Sequence, residues 1–142
     1  MLISLLSAAA VFIADAKGKS FAQKVADSDK KSVGPAEIVI VHNKGFAMNY
    51  MSESPDKVKY ICTGVGVGVS AVLLLLSSKG GILSKIAAGL VIGGAAGNIS
   101  DRYRHGFVVD YIRIPKLPGK FGRVSYNLSD FAILLGTILS IF

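Results

Sequence analysis

Nine acidic residues occur in the chain of 142, and four of them stand where a carboxylate is expensive. Asp15 follows the apolar run MLISLLSAAAVFIA, Asp101 closes a later run, and Asp110 lies inside the apolar FVVDYI. Asp130 directly precedes Phe131-Ala132-Ile133-Leu134-Leu135. An ionised carboxylate in a membrane helix costs at least ~2.5–3.5 kcal/mol, so an acid kept there is a functional candidate. Two such acids brought together from separate elements can share one proton, because like charges a few ångströms apart raise one pKa. A pair of that kind activates water for attack on an amide. Asp110 and Asp130 suit the role, since both lie at loop boundaries of neighbouring helices and on the same side of a membrane. Plainer readings stand beside this one. Asn127, Ser129 or Asp130 can each cap a helix start by accepting free N–H groups. Asp101-Arg102 can be a local ion pair at the membrane surface.

The elements that must position these acids are apolar. Hydrophobic residues make up 51% of the chain, charged residues 18%, and the mean hydropathy is +0.54. A soluble domain carries about a quarter charged residues, so disorder and an ordinary soluble globule are both disfavoured. The length allows one domain. One cysteine, Cys62, excludes an intramolecular disulfide and a Cys-based metal site, and two histidines argue against a His-rich one. Cys62 itself reads as helix packing. The net charge of +7 and pI near 9.6 raise the question of nucleic acid. The cations sit between the apolar stretches, however, and anionic lipid headgroups are the expected partners instead. The class is an integral membrane protein.

Four stretches approach the length of about 20 apolar residues that a membrane helix needs: about 1–15, 58–77, 82–100 and 127–142. The outer two are short and reach across with help from flanking residues or local thinning. The first also resembles a cleavable signal peptide, but it lacks a basic n-region and is read as a retained helix. Gly89, Gly93 and Gly97 recur at a four-residue spacing in the third stretch, a small-residue face for close helix approach in lipid. Between the spans, EIVIVHN (Glu37 to Asn43) predicts a short β-strand. The prolines and glycines of residues 101–126 predict an extended or hairpin element. SSKGG (77–81) is a minimal turn. Four spans put residues 15–57 and 101–126 on one side. Fourteen of the sixteen basic residues lie in or immediately beside these two stretches, and the positive-inside rule taken alone would make that side cytoplasmic.

Several motifs together resemble the signal peptidase II (lipoprotein signal peptidase) family, with this chain a divergent member. The most specific is Gly94-Ala95-Ala96-Gly97-Asn98-Ile99-Ser100-Asp101-Arg102 followed by Gly106-Phe107-Val108-Val109-Asp110-Tyr111. Tyr126-Asn127-Leu128-Ser129-Asp130 matches the family's last signature, Asp15 and Lys19 match an Asp and a Lys four residues apart, and Asn43-Lys44-Gly45-Phe46-Ala47-Met48 matches loosely a motif after a strand. Ser129 stands where the family has Ala, Tyr111 and Tyr126 where it has Phe, and Ala16 where it has Gln. Phe46 occupies a position that is normally small.

The resemblance implies an all-α integral membrane protein, with four transmembrane helices, a small extracytoplasmic β element and one peptidase domain over residues 1–142. It implies a membrane aspartic protease that removes signal peptides from diacylglyceryl-modified prolipoproteins, cutting on the amino side of the lipidated cysteine. The catalytic pair carries over to Asp110 and Asp130, one as base on the water and the other as acid. Asn98, Asp101 and Arg102 would hold the site and the substrate backbone, Asn43, Gly45 and Asn127 would line the channel, and Asp15 and Lys19 would brace the rim. No metal or organic cofactor is implied. The expected partners are the prolipoprotein substrates and membrane phospholipids, with no nucleic acid, and the chain is expected to be a monomer. The expected location is the bacterial inner membrane, with the active site toward the extracytoplasmic face, against the charge bias of the loops. Two other readings keep the same aspartates: an inactive paralogue that binds signal peptides, and a small carrier or channel subunit. A carrier often shows internal repeats, and the two halves share no motif.

Overall fold

The computed structural model describes residues 1–26, 32–46 and 49–141. Residues 47 and 48 of the Asn43 motif and the last residue of the fourth apolar stretch lie outside that description. Among these residues there are four α-helices, α1 (Leu2–Ala26), α2 (Pro55–Ser78), α3 (Ile82–His105) and α4 (Leu128–Leu139), and four strands, β1 (Ser32–Val33), β2 (Ala36–Asn43), β3 (Val108–Arg113) and β4 (Ser125–Tyr126), in the order α1-β1-β2-α2-α3-β3-β4-α4. The strands form one antiparallel sheet in the order β1-β2-β3-β4. The architecture is therefore mainly helical, with the expected small β element formed by this sheet.

α3 is the central helix and packs against α1, α2 and α4. Small residues make this possible. A methyl group on Gly93 would lie 2.5 Å from the Ala8 carbonyl oxygen of α1, and one on Gly94 would lie 2.5 Å from the Ser129 carbonyl oxygen of α4. The expected glycine face is thus used, with Gly89 and Gly93 against α1. Gly97 sits where α1, α3 and α4 converge, facing Ser129 Oγ and Asp15 Oδ2. α2 touches little else, and only 6% of its apolar window is buried within the protein. Its Val67, Val72, Leu75 and Leu76 face outward.

Helix boundaries differ from the hydropathy reading in two places. α1 continues eleven residues beyond Asp15, because the stretch after it contains no proline and keeps an inward stripe after its hydropathy falls. Ala22 is fully buried against Ile38 and Tyr111, with Val25 beside it. α3 likewise runs past Ser100 to His105, where Gly106 stops it in the left-handed region at φ 78°. α4 is short, with 12 helical residues, or about 18 Å at ~1.5 Å per residue.

The strand predicted at Glu37–Asn43 is β2 with one residue added. Its pairing with β3 shifts register by one between Ile38 and Val41. Ile38 stands opposite Ile112, whereas Val41 stands opposite Asp110 and Asn43 opposite Val108. Side chains alternate between faces with period two. Without this bulge Asn43 would point away from Asp110, and with it the two share a face.

Candidate active site

Asn127 joins the two aspartates. It is fully buried and is the N-cap of α4. Its side-chain Oδ1 accepts from the Asp130 backbone N–H at 2.9 Å, and its own N–H donates to Asp130 Oδ2 at 3.1 Å. This reciprocal capping box leaves the Asn127 amide free to donate to Asp110 Oδ1 at 2.7 Å and Asn98 Oδ1 at 3.0 Å. Asn98 Nδ2 in turn donates to Asp130 Oδ1 at 2.9 Å. Asp130 is therefore the N3 partner of the Asn127 cap and a member of the acidic pair at once, so the two readings of it do not compete. The other oxygen of Asp110 accepts from Asn43 Nδ2 at 3.1 Å, the contact that the β2 bulge permits.

Arg102 reaches across this group. One terminal nitrogen donates to the Gly45 carbonyl at 2.8 Å and the other to the Asn98 carbonyl one helical turn back at 3.3 Å. The Gly45 N–H donates to Asn43 Oδ1 at 3.0 Å, so the turn after β2 is tied to both α3 and the strand. Arg102 is thus occupied with backbone carbonyls and forms no ion pair with Asp101. The local pairing weighed from sequence is replaced by a different one.

Asp101 instead meets Lys19 at 2.8 Å, and Lys19 also meets Asp15 at 2.5 Å. Each carboxylate then holds one backbone N–H. Asp101 Oδ2 accepts from Val109 at 3.0 Å, and Asp15 Oδ1 accepts from Ser129 at 3.2 Å. Val109 and Ser129 are the residues immediately before Asp110 and Asp130. One ammonium therefore links the backbones that carry both aspartates. Asp15 and Lys19, the residues expected to brace the rim, are buried, with Asp15 only 1% exposed. Tyr111, which stands where the family has Phe, places its hydroxyl in the space that Gly18 leaves open on α1. Burial and the nearby Asp15 charge push that phenol up to about 12.

Asp110 is 4% exposed. Burial, then the charge of Asp130, push its carboxyl up to about 7, against the two amide hydrogen bonds from Asn43 and Asn127 that favour the ionised form. Both aspartates line a cavity of about 690 Å³ between α2, α3, α4 and the sheet. Ile61, Val65 and Val69 of α2, Val91 and Ile99 of α3, and Ile133 and Leu134 of α4 make most of its wall apolar. Cys62, read as packing, faces this cavity, as does Phe46. The arrangement offers a coupled carboxyl pair at the polar end of a greasy slot.

The model of the family described as signal peptidase (SPase) II matches residues 7–142. The chain belongs to the signal peptidase II family. Curated lipoprotein signal peptidases match within it: 36% identity over 107 residues to that of Vibrio parahaemolyticus, 40% over 104 to that of Shewanella oneidensis, and 35% over 100 to that of Escherichia coli. The matched regions cover 73%, 71% and 68% of this chain but 62%, 60% and 60% of those relatives, so the chain spans about three fifths of their length. Two solved structures, each of a bacterial membrane enzyme studied by the in meso method, share the fold at a TM-score of 0.73 and 23% identity. They cover 97% of this chain, and it covers 84% and 89% of them. With α2 and α3 each 24 residues long and apolar enough to cross a membrane, this signal peptidase II relative is a bacterial membrane protein.

Proposed function

We propose that residues 1–142 form a single membrane-embedded aspartic endopeptidase domain that removes signal peptides from diacylglyceryl-modified prolipoproteins, on the amino side of the lipidated cysteine. The observation that carries this reading is the Asn127 junction, which presents Asp110 and Asp130 together at the polar end of an apolar cavity. Asp130 takes a proton from water as the water oxygen attacks the scissile carbonyl carbon. Asp110, which holds its proton below about pH 7, gives that proton to the carbonyl oxygen. As the C–N bond breaks, Asp130 gives the proton it took from water to the leaving nitrogen, and one hydroxyl of the tetrahedral species returns its proton to Asp110 as the carboxyl product forms. Asn98, Asn127 and Asn43 orient the pair, Arg102 holds the Gly45 turn beside it, and Asp15, Lys19 and Asp101 fix the backbones that carry it. No metal or organic cofactor enters this scheme. The apolar walls suit acyl chains, at ~0.8 kcal/mol per buried CH₂. Incubation of the reconstituted protein with a diacylglyceryl-modified precursor is expected to give the shorter band on a gel, with the unmodified precursor cut poorly. Equal rates on the two would remove the lipid from the account of specificity.

All four helices cross the inner membrane in this reading, the 12 residues of α4 with local thinning, and the chain acts as a monomer. The sheet and the aspartates face the extracytoplasmic side. The large basic loops then contact outer-leaflet headgroups, since loop charge is a bias that other features override. Cysteines introduced by Glu53→Cys and Ser78→Cys in a Cys62→Ala background separate the two orientations. In intact cells Glu53→Cys is expected to react with a membrane-impermeant thiol reagent and Ser78→Cys to be protected. The reverse labelling would invert the topology.

A further inference from the structure

The segment from Ile114 to Val124, between β3 and β4, carries a charge pattern that peptide cleavage does not use. From Tyr111 to Ser129 the chain holds Arg113, Lys116, Lys120 and Arg123 and no acidic residue. Lys116, Lys120 and Arg123 are exposed. Between them Leu117 and Phe121 also face outward, 38% and 54% exposed.

The segment folds tightly on itself. The Leu117 N–H donates to the Ile114 carbonyl and the Arg123 N–H to the Lys120 carbonyl, both at 3.1 Å. A methyl on Gly122 would lie 2.6 Å from the Leu117 carbonyl oxygen. Tyr126 sets its height: the hydroxyl donates to the Phe121 carbonyl at 3.1 Å, and the ring centroid lies 5.8 Å from that of Phe131 in the first turn of α4. Phe121 therefore stands at the level where α4 begins its apolar run.

Apolar tips among cations, with no acid between them, match a lipid surface that is apolar below and phosphate-rich above. We propose that residues 114–124 dock on anionic phospholipid, with Leu117 and Phe121 entering the headgroup layer and Lys116, Lys120 and Arg123 meeting the phosphates. Phe121 and Val124 also line the cavity, so docking holds the cavity rim against the layer from which a lipid-modified substrate would arrive. The proposal rests on α4 lying in a bilayer and is independent of whether the aspartates cleave anything.

The chain contains no tryptophan, so Phe121→Trp supplies a single reporter. The full chain is reconstituted into vesicles of phosphatidylcholine with or without phosphatidylglycerol, containing lipid brominated near the glycerol end of the acyl chain. With phosphatidylglycerol, the emission is expected to shift to the blue and to be quenched, more than in phosphatidylcholine alone. Adding Lys116→Gln, Lys120→Gln and Arg123→Gln removes three charges, each worth roughly fivefold near an anionic surface, so the docked-to-undocked ratio is expected to fall roughly 100-fold. Water-like, unquenched emission, or equal quenching in both vesicles, overturns the proposal. Leu135→Trp, on the exposed side of α4, is the companion measurement with lipid brominated deep in the chain. Quenching there with an unquenched Phe121→Trp rejects docking and keeps the membrane reading, whereas no quenching at either position rejects both.

Discussion

Replacing Asp110 or Asp130 by Asn is expected to lower cleavage of a lipidated precursor by roughly 10⁴–10⁶-fold, with the double replacement little worse than either single one, because members of one catalytic unit do not contribute additively. The fold survives the change. Asn at position 130 keeps an oxygen that can accept the Asn127 N–H, and losing part of a cap costs ~1 kcal/mol. The pH dependence follows from the same geometry. Burial and the Asp130 charge lift Asp110 to about 7, so Asp110 holds its proton below that pH and loses it above. Acting as the acid, it makes kcat/KM fall about tenfold per pH unit on the alkaline side of 7. A rate that rises through neutral pH to a plateau would assign the proton elsewhere.

Lys19→Met is expected to be the most damaging change away from the cavity. It leaves Asp15 and Asp101 with an unpaired buried charge, since both currently share the one ammonium. Removing one partner of a buried ionic group destabilises by about 3–5 kcal/mol. The consequence reaches the site because Asp15 and Asp101 hold the N–H groups of Ser129 and Val109, each next to a dyad aspartate. A displacement of about 1 Å there costs on the order of 100-fold in rate. In membranes where the variant is still folded, kcat should fall with KM nearly unchanged, and Lys19→Arg should recover part of it. Thermal melts and initial rates on the lipidated precursor measure the two effects. A variant that melts lower but cleaves at the full rate would make Lys19 purely structural.

The four site acids are legible because burying a carboxylate is costly: position marks Asp15, Asp101, Asp110 and Asp130, and loop-boundary placement with the family resemblance picks Asp110 and Asp130 as the pair. The glycine spacing likewise exposed the contact face of α3, and the β-branched run exposed β2. What joins these elements was not legible. The β2 bulge that turns Asn43 toward Asp110 arises from tertiary packing, and no turn residue announces it. The Lys19 junction needs three segments far apart in sequence, so adjacency favoured the wrong partner and paired Asp101 with Arg102. The second half of α1 reads as loop from hydropathy, which drops at Asp15. Yet Ala22 and Val25 keep a helical stripe that packs on the sheet, and the Asp15–Lys19 spacing was itself a signal that the helix continues. Asp130 shows the opposite case, since its capping geometry and its place in the pair are one arrangement.

The most direct measurement is the mass of the products when the purified chain, in lipid vesicles, meets a diacylglyceryl-modified precursor. The wild-type protein should release an intact signal peptide and a fragment beginning at the lipid-bearing cysteine with a free α-amine, and Asp130→Asn, folded to the same melting temperature, should leave the precursor whole. An uncut precursor with the wild-type protein, or the same products from Asp130→Asn at a comparable rate, would contradict an aspartic dyad at Asp110 and Asp130.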